Sequence, residues 1–313
     1  MTGRDLLPIA LLVGALALAP LVLSGNTALN FLVFVLIIAL AAQGWNLLGG
    51  FGGQFSFGHA AFFGTGAYAT ALLQTRLGVN AWAAFALGVA AGALVGWVIG
   101  SLSFRSGLRG SYFALVTLAF AEVLRIAANA APVTGGAAGL LIPLDVRPAN
   151  FQFTSRAMFF WVALSLVGGA LVLSRAVERS RFGAQLAAVR ENEAAATALG
   201  VDALAVKLRA IALSAGITAA SGCLYAQYFL YLDAGIAFGT WLSIEALLAP
   251  IIGGVGTVFG PLVGALALHG LGELTKGLAG RVPGIDLVVF GTLLVLVVAF
   301  APRGILGFLR GRT

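Results

Sequence analysis

The sequence predicts an all-α polytopic membrane protein of about ten transmembrane or partly re-entrant helices, with both termini cytoplasmic. Three observations predict it. The first is the spacing of charge: no Asp, Glu, Lys or Arg occurs in the 70 residues between Asp5 and Arg76, and uncharged runs follow at 77–104, 157–174, 210–232, 246–272 and 287–302. The second is a mean hydropathy of +1.04, with 60% hydrophobic and 9% charged residues, well outside the values of a soluble core. The third is the sidedness of the cations, set out below. A helix needs ~20 mostly apolar residues to cross the hydrocarbon layer, where only internal hydrogen bonds satisfy the backbone. A length of 313 residues would allow two soluble domains, but this composition makes 1–313 a single transmembrane domain.

The predicted spans are 6–24, 29–48, 57–75, 81–103, 111–131, 157–174, 210–232, 241–258, 260–275 and 285–301. The first resembles a secretory leader, yet strongly apolar segments continue to the C-terminus, so it reads as a span. The third, eighth and ninth are the weakest. Glycine-rich "GGFGGQFSFGHAAFFGTGAY" precedes and enters the third, and "GGVGTVFGPLVGA" joins the eighth to the ninth. Either stretch can form a broken or re-entrant helix where protein or a water-filled cavity covers its backbone. With the N-terminus inside, the cytoplasmic segments hold Arg4, Arg105, Arg109, Arg175, Arg179, Arg181, Arg190, Lys207, Arg209, Arg303, Arg310 and Arg312. The other side holds Arg76, Arg125, Arg147, Arg156, Lys276 and Arg281, so the division is twelve against six. That bias follows the positive-inside rule and accounts for the net charge of +7 without nucleic acid. Two halves of five spans would be related by inversion, a common way to build transporters.

The 43 glycines fit this class, because small residues let membrane helices approach closely. The single cysteine, Cys223, lies in an apolar run and reads as a small packing residue. No G-x-x-x-x-G-K-[ST] phosphate loop, H-E-x-x-H or paired-cysteine pattern occurs. The chain therefore supplies neither an ATPase nor a metal centre of its own, and an enzyme is not expected.

Segment 175–209 concentrates ten of the 29 charged residues in 35 positions. Within it Leu186, Val189, Ala196 and Leu199 recur at helical spacing. Gly200 is placed to end that helix and Asp202 to cap the next. The result is a helix–glycine–helix element on the cytoplasmic face, either a solvated connector or a docking surface. The alanine-rich centre favours docking, because small side chains let another protein approach the backbone.

Three motifs then carry a resemblance. "ERSRFGAQLAAVRENEAAATALGVDALAVKLRAIALSAG", "GGFGGQFSFGHAAFFGTGAYATALL" and "GGVGTVFGPLVGA" resemble, in order, the permease subunits of ABC importers for branched-chain amino acids, specifically the second of the two homologous permeases. The resemblance covers roughly 30–305. It implies that Arg190, Glu191, Asn192, Glu193, Ala194, Ala195 and Gly200 form an ATPase-coupling loop related to the E-A-A-x-x-x-G signature. Here four residues, not three, separate "EAA" from Gly200, and "AIALSAG" stands where the signature is often followed by Leu-Pro. The resemblance further implies a homologous second permease, two cytoplasmic ATPase subunits that bind ATP and magnesium, an extracytoplasmic substrate-binding protein, and a bacterial-type inner membrane. No cofactor is expected on this chain.

Other polar residues are candidates for a transport path. Gln54, Ser56, His59 and Tyr68 sit in an apolar, glycine-rich setting, where polar groups normally face a bundle interior or a cavity. They either line a path or brace neighbouring helices. Glu122 and Arg125 share a helix face and can neutralise one another, or form a gate or binding-protein contact. Asn129, Thr134, Asp233 and Glu245 flank the outer side and admit the same two readings. Urea or short amides are alternative substrates. A self-sufficient channel or secondary transporter is the rival class.

Overall fold

The structure, a computed structural model, describes residues 3–23, 25–279, 288, 291–292, 295 and 304–309. It is built almost wholly of helices. α1 (Gly3–Ala17) and the short α2 (Ala19–Val22) lead to α3 (Asn26–Trp45), which widens into a π-helical turn at Asn46–Phe51. After an irregular stretch come α4 (His59–Leu77), α5 (Ala81–Arg105), α6 (Gly110–Ala130) and α7 (Arg156–Glu178). Then follow α8 (Arg181–Glu191), α9 (Glu193–Ala198), α10 (Ala203–Phe229), α11 (Ala234–Ala237), α12 (Thr240–Gly253), α13 (Gly260–Ala279) and α14 (Gly304–Leu309). A two-residue antiparallel bridge joins β1 (Leu140–Leu141) to β2 (Tyr231–Leu232), fastening the 131–155 segment to the end of α10.

Among the described residues, seven helical segments are long and apolar enough to cross a membrane: Asp5–Val22, Asn26–Phe51, Ala81–Arg105, Gly110–Ala130, Arg156–Glu178, Ala203–Phe229 and Ala234–Gly253. The protein is multi-pass. The third and ninth predicted spans coincide with α4 and α13, which have the length but carry His59, Gln74 and Arg76, or His269, Glu273 and Lys276, in place of apolar residues. The eighth stops at Gly253, earlier than its apolarity suggests, because Gly254 takes a φ of +131°. The tenth, 285–301, lies outside the described residues apart from 288, 291–292 and 295.

Two helices form the centre. α3 and α10 run antiparallel: Tyr228 near the end of α10 hydrogen-bonds Asn30 near the start of α3, while Gly44 late in α3 meets Ser214 and Thr218 earlier in α10. α10 packs against the α4–α5 pair, and α3 against the α12–α13 pair. Each of the two central helices thus packs on a pair of helices from the other part of the chain.

Close approach between α5 and α10 explains much of the glycine. Gly88, Gly92, Gly96 and Gly100 recur every four residues on α5. A methyl group added at these positions would fall 2.8, 2.2, 2.3 and 2.6 Å from Cys223, Ala219, Ala215 and Ile211, with Thr70 Oγ1 still nearer to that of Gly88. Such contacts replace the hydrophobic drive that is missing between helices in lipid with backbone-level van der Waals packing. Cys223 is buried in this seam, as its reading as a packing residue requires.

Candidate functional site

Segment 175–209 folds as a capped, two-step helical element. Ser180 begins α8 by accepting from the Gly183 N–H (3.0 Å), Asn192 begins α9 by accepting from Ala195 (3.0 Å), and Asp202 begins α10 by accepting from Ala205 (3.0 Å). Each cap satisfies an N–H that a helix start otherwise leaves unpaired. Gly200, at φ +87°, closes α9: its N–H reaches Thr197 O and the Val201 N–H reaches Ala196 O, the paired bonds of a Schellman ending. The helix–glycine–helix reading is therefore observed, with one difference. Asn192 breaks the predicted single helix in two, which changes its phase. Leu186, Val189 and Ala196 are buried, but Leu199 is 86% exposed. An Asn followed at once by an acidic residue in a first helical turn is a start signal, and reading it would have found the break.

Arg175 and Arg179 pair with Asp5 of α1, and three side chains further along tie α8 and α9 to the bundle. Arg190 donates from Nη1 to Gly50 O (3.1 Å), and its stem lies against Gly53, where an added methyl would sit 2.4 Å from Cγ. Glu193 accepts from Lys207 Nζ (2.7 Å) and pairs with Arg109 Nε (3.4 Å). The Lys207 side chain is only 5% exposed, and its ammonium lies 5.0 Å from the centre of the Phe104 ring. α9 is thereby fixed to the start of α10, to the end of α5 and to the 106–109 turn. Arg190 is also paired with Glu191 (2.8 Å). Glu191, Asn192, Ala194, Ala195, Thr197, Ala198 and Gly200 remain exposed beside Leu199.

Arg190 reaches the place where both glycine-rich breaks meet. Asn46, in the π-helical turn, donates to Thr257 O (2.9 Å) and accepts from the Gly256 N–H (2.8 Å). Gln43 donates to Val258 O (2.8 Å) and accepts from Ser174 (3.3 Å). A methyl on Gly50 would sit 2.1 Å from Asn46 Oδ1 and 2.6 Å from Gly256 N. The irregular backbone at 256–258 is thus met by the buried amide side chains of Gln43 and Asn46, while in 46–58 Arg190 reaches Gly50 O, Trp45 reaches Ser56 O and Thr117 accepts from Phe57, the kind of internal satisfaction that a broken helix needs in a membrane. Polar residues within the apolar runs, such as Gln43, Asn46, Ser214 and Gln227, were the signal for this interior; the sequence reading had not singled them out.

The four path candidates lie at separate depths. Gln54 donates weakly to Gly52 O (3.3 Å) in the irregular stretch. Ser56 is buried; its Oγ accepts from the Gly58 N–H and its carbonyl from Trp45 Nε1. His59 is fully buried at the head of α4, with Nε2 3.0 Å from Ser214 Oγ, which itself donates to Gly44 O (2.7 Å). Tyr68 lies further along α4, stacked on Phe238 with centroids 5.6 Å apart. The structure joins His59 to Ser214 across α4 and α10.

The outer candidates are also dispersed. Arg125 grips Glu122 through two bonds, 2.9 and 2.6 Å, on the half-exposed face of α6. Thr134 closes the end of α6 by donating to Ala128 O and Ala131 O, beside exposed Asn129. Asp233 caps α11 by accepting from Ile236 (2.9 Å). Glu245 lies 3.5 Å from His269, linking α12 to α13.

The geometry fits what comparison with known proteins finds. The family described as "Branched-chain amino acid transport system / permease component" matches residues 27–298. The chain is 29% identical to the high-affinity branched-chain amino acid transport system permease protein LivM of Salmonella typhimurium, over 98% of this chain and 76% of that protein. Its likeness to LivM of Escherichia coli is the same in identity and coverage. It is 26% identical to the corresponding permease protein BraD of Pseudomonas aeruginosa, over 86% of this chain and 91% of the relative. No solved structure matches. A family match over residues 27–298, with the LivM relatives aligned over 98% of this chain, makes it a member of the branched-chain amino acid permease family, of the LivM type.

Proposed function

We propose that this chain is one of two homologous permeases of an ATP-driven importer in a bacterial-type inner membrane, and that it carries branched-chain amino acids inward. Its partners are a second permease, two cytoplasmic ATPase subunits holding ATP and magnesium, and an extracytoplasmic binding protein that delivers substrate. A LivM and a LivH, both named as permeases of the high-affinity branched-chain system in Escherichia coli, support the paired arrangement. The chain crosses the membrane about ten times, with both termini cytoplasmic. It is a transport subunit, and the chemistry of hydrolysis belongs to the ATPases.

One observation carries the coupling role: α9 and its ending present Ala194, Ala195, Leu199 and Gly200 to solvent, while Arg190 holds the adjoining α8 to the π-helical turn and Glu193 holds α9 to the 106–109 turn and α10. A partner that grips the exposed face can therefore displace the bundle rather than only the loop. ATP-driven transport needs such a rigid link between the partner and a two-state element. In this reading Glu193 positions the docking surface and Leu199 belongs to it.

Proteoliposomes with both permeases and the ATPases, supplied with the binding protein, test the proposal. Expected is leucine uptake that requires ATP. Replacing Leu199 by Asp, or Arg190 by Ala, should abolish substrate-stimulated hydrolysis while the complex still inserts. Uptake without ATP by the chain alone would replace the proposal with a channel or secondary transporter. ATP-driven uptake of urea but not leucine would change the substrate.

A further inference from the structure

The flank of the bundle carries a groove of about 440 Å³ between α5, α7 and α10. Ser165, Gly169 and Leu213 on its walls are exposed, so it opens away from the bundle interior. The walls are apolar apart from Ser165, whose hydroxyl already donates to Val162 O (2.7 Å). Its glycines differ from those of the α5–α10 seam. A methyl group on Gly169 would meet nothing within 4 Å, and one on Gly216 would make only ordinary contacts, 3.6 Å to Ala93 and 3.9 Å to Val89. Helix packing does not require glycine at either position, and the missing side chains keep the groove open.

On α10 the groove is lined by Ala212, Leu213, Gly216 and Ala220. Arg209 lies three, four, seven and eleven residues before them, which puts it on the same helix face. It is exposed and forms no ion pair among the described residues. The nearby cations are engaged: Lys207 on Glu193 and the Phe104 ring, and Arg175, two residues beyond Leu173 on α7, on Asp5 and Glu178. At 1.5 Å per residue, Ala212 to Ala220 spans about 12 Å, within the ~15 Å hydrocarbon depth of one leaflet. One turn nearer the helix start, the long Arg209 side chain is placed to reach the headgroup level. A second helix, ~10 Å across, would occupy roughly twice the groove's volume over that length, so the shape favours a single polymethylene chain.

We propose that the groove holds one acyl chain of an anionic phospholipid, with the lipid phosphate on the Arg209 guanidinium. Arginine forks a phosphate through charge-assisted bonds, and an uncompensated cation at the membrane surface draws lipid of net negative charge. The bound chain fills the space between α7 and α10 and braces them. The proposal takes from the import reading only its orientation, which makes the leaflet the cytoplasmic one.

The assembled complex is purified and delipidated in mild detergent, and phosphatidylglycerol is titrated back while native mass spectrometry counts the lipid bound. Expected is one phosphatidylglycerol per copy of this chain, held in preference to phosphatidylethanolamine. Binding should weaken by at least about tenfold in Arg209→Gln and in Gly169→Leu, the scale of a lost hydrogen bond to a charged group. Arg209→Lys should keep most of the affinity, and Arg181→Gln, an exposed cation at the start of α8, all of it. Added phosphatidylglycerol should raise the Tm of the parent but not of Gly169→Leu. Equal binding by the parent and both weakened variants, equal binding of the two lipids, or the same loss in Arg181→Gln overturns the site. So does loss of the second permease from Gly169→Leu, which would give the groove to a partner helix. ATP-driven leucine uptake reports on the import reading separately: its absence beside selective lipid binding removes that reading and leaves this site standing.

Discussion

The two ends of the bundle solve the same problem in opposite ways. At the end that carries 175–209, polar side chains are closed against the chain: Glu193 on Lys207 and Arg109, Arg190 on Gly50, Asn46 on Thr257 and Gly256. At the other end Gln227 is buried with its carboxamide unpaired, while short caps at Thr134 and Asp233 finish the neighbouring helices. Closed polar contacts make a surface stiff enough to pass on a push.

Filling the glycine junction should break the stiff end most severely. Gly50→Val must displace the Asn46 amide and the Gly256 backbone, an overpacking cost of about 3 kcal/mol. Thermal unfolding in mild detergent should show a much lower Tm and a poor membrane yield. A normal Tm would mean that the two breaks are not a rigid unit.

Next in size is the buried ion pair. Glu193→Gln leaves the Lys207 ammonium without its carboxylate in a nearly closed site. Breaking a fully buried pair costs ~3–5 kcal/mol, and the partial exposure of Glu193 lowers the expected loss to about 2 kcal/mol. Combining it with Lys207→Met should recover most of that Tm, because no uncompensated charge remains. Recovery of stability without recovery of substrate-stimulated hydrolysis would separate packing from positioning.

At the other end the effects should be smaller. Asp233→Ala removes the cap of α11 and should lower stability by about 1 kcal/mol. Smallest of all is exchange of Glu122 and Arg125, a solvent-screened pair that contributes little to stability. Transport in the swapped protein should persist at much of its normal rate. Complete loss with normal assembly would instead give that pair a gating or docking role.

Seven of the predicted spans were legible because apolar runs of sufficient length have few alternatives in water or lipid. Gly200 and Asp202 were legible as local signals, since a left-handed residue and an N-cap act within a few positions. The break at Asn192 was equally local and was overlooked because the alanine-rich pattern reads as one helix. The candidate sites were less legible. Glu193 stood out as part of a charged motif, but nothing adjacent in sequence marks Lys207 and Arg109 as its partners. His59 drew notice for its setting, whereas Ser214, which lies 155 residues away, could not be connected to it.

The sequence by itself determined the medium, the helices and the charged element, because hydropathy, capping and cation placement act over one span or one turn. Only the tertiary structure decided which polar residues are satisfied. Gln43 finds its acceptor 215 residues along the chain, and Asn46 its own 211 residues along. Gln227, of the same chemical type, finds none. A carboxamide is equally polar wherever it stands, and whether it braces a fold or stands unpaired depends on what the packing brings within hydrogen-bonding distance.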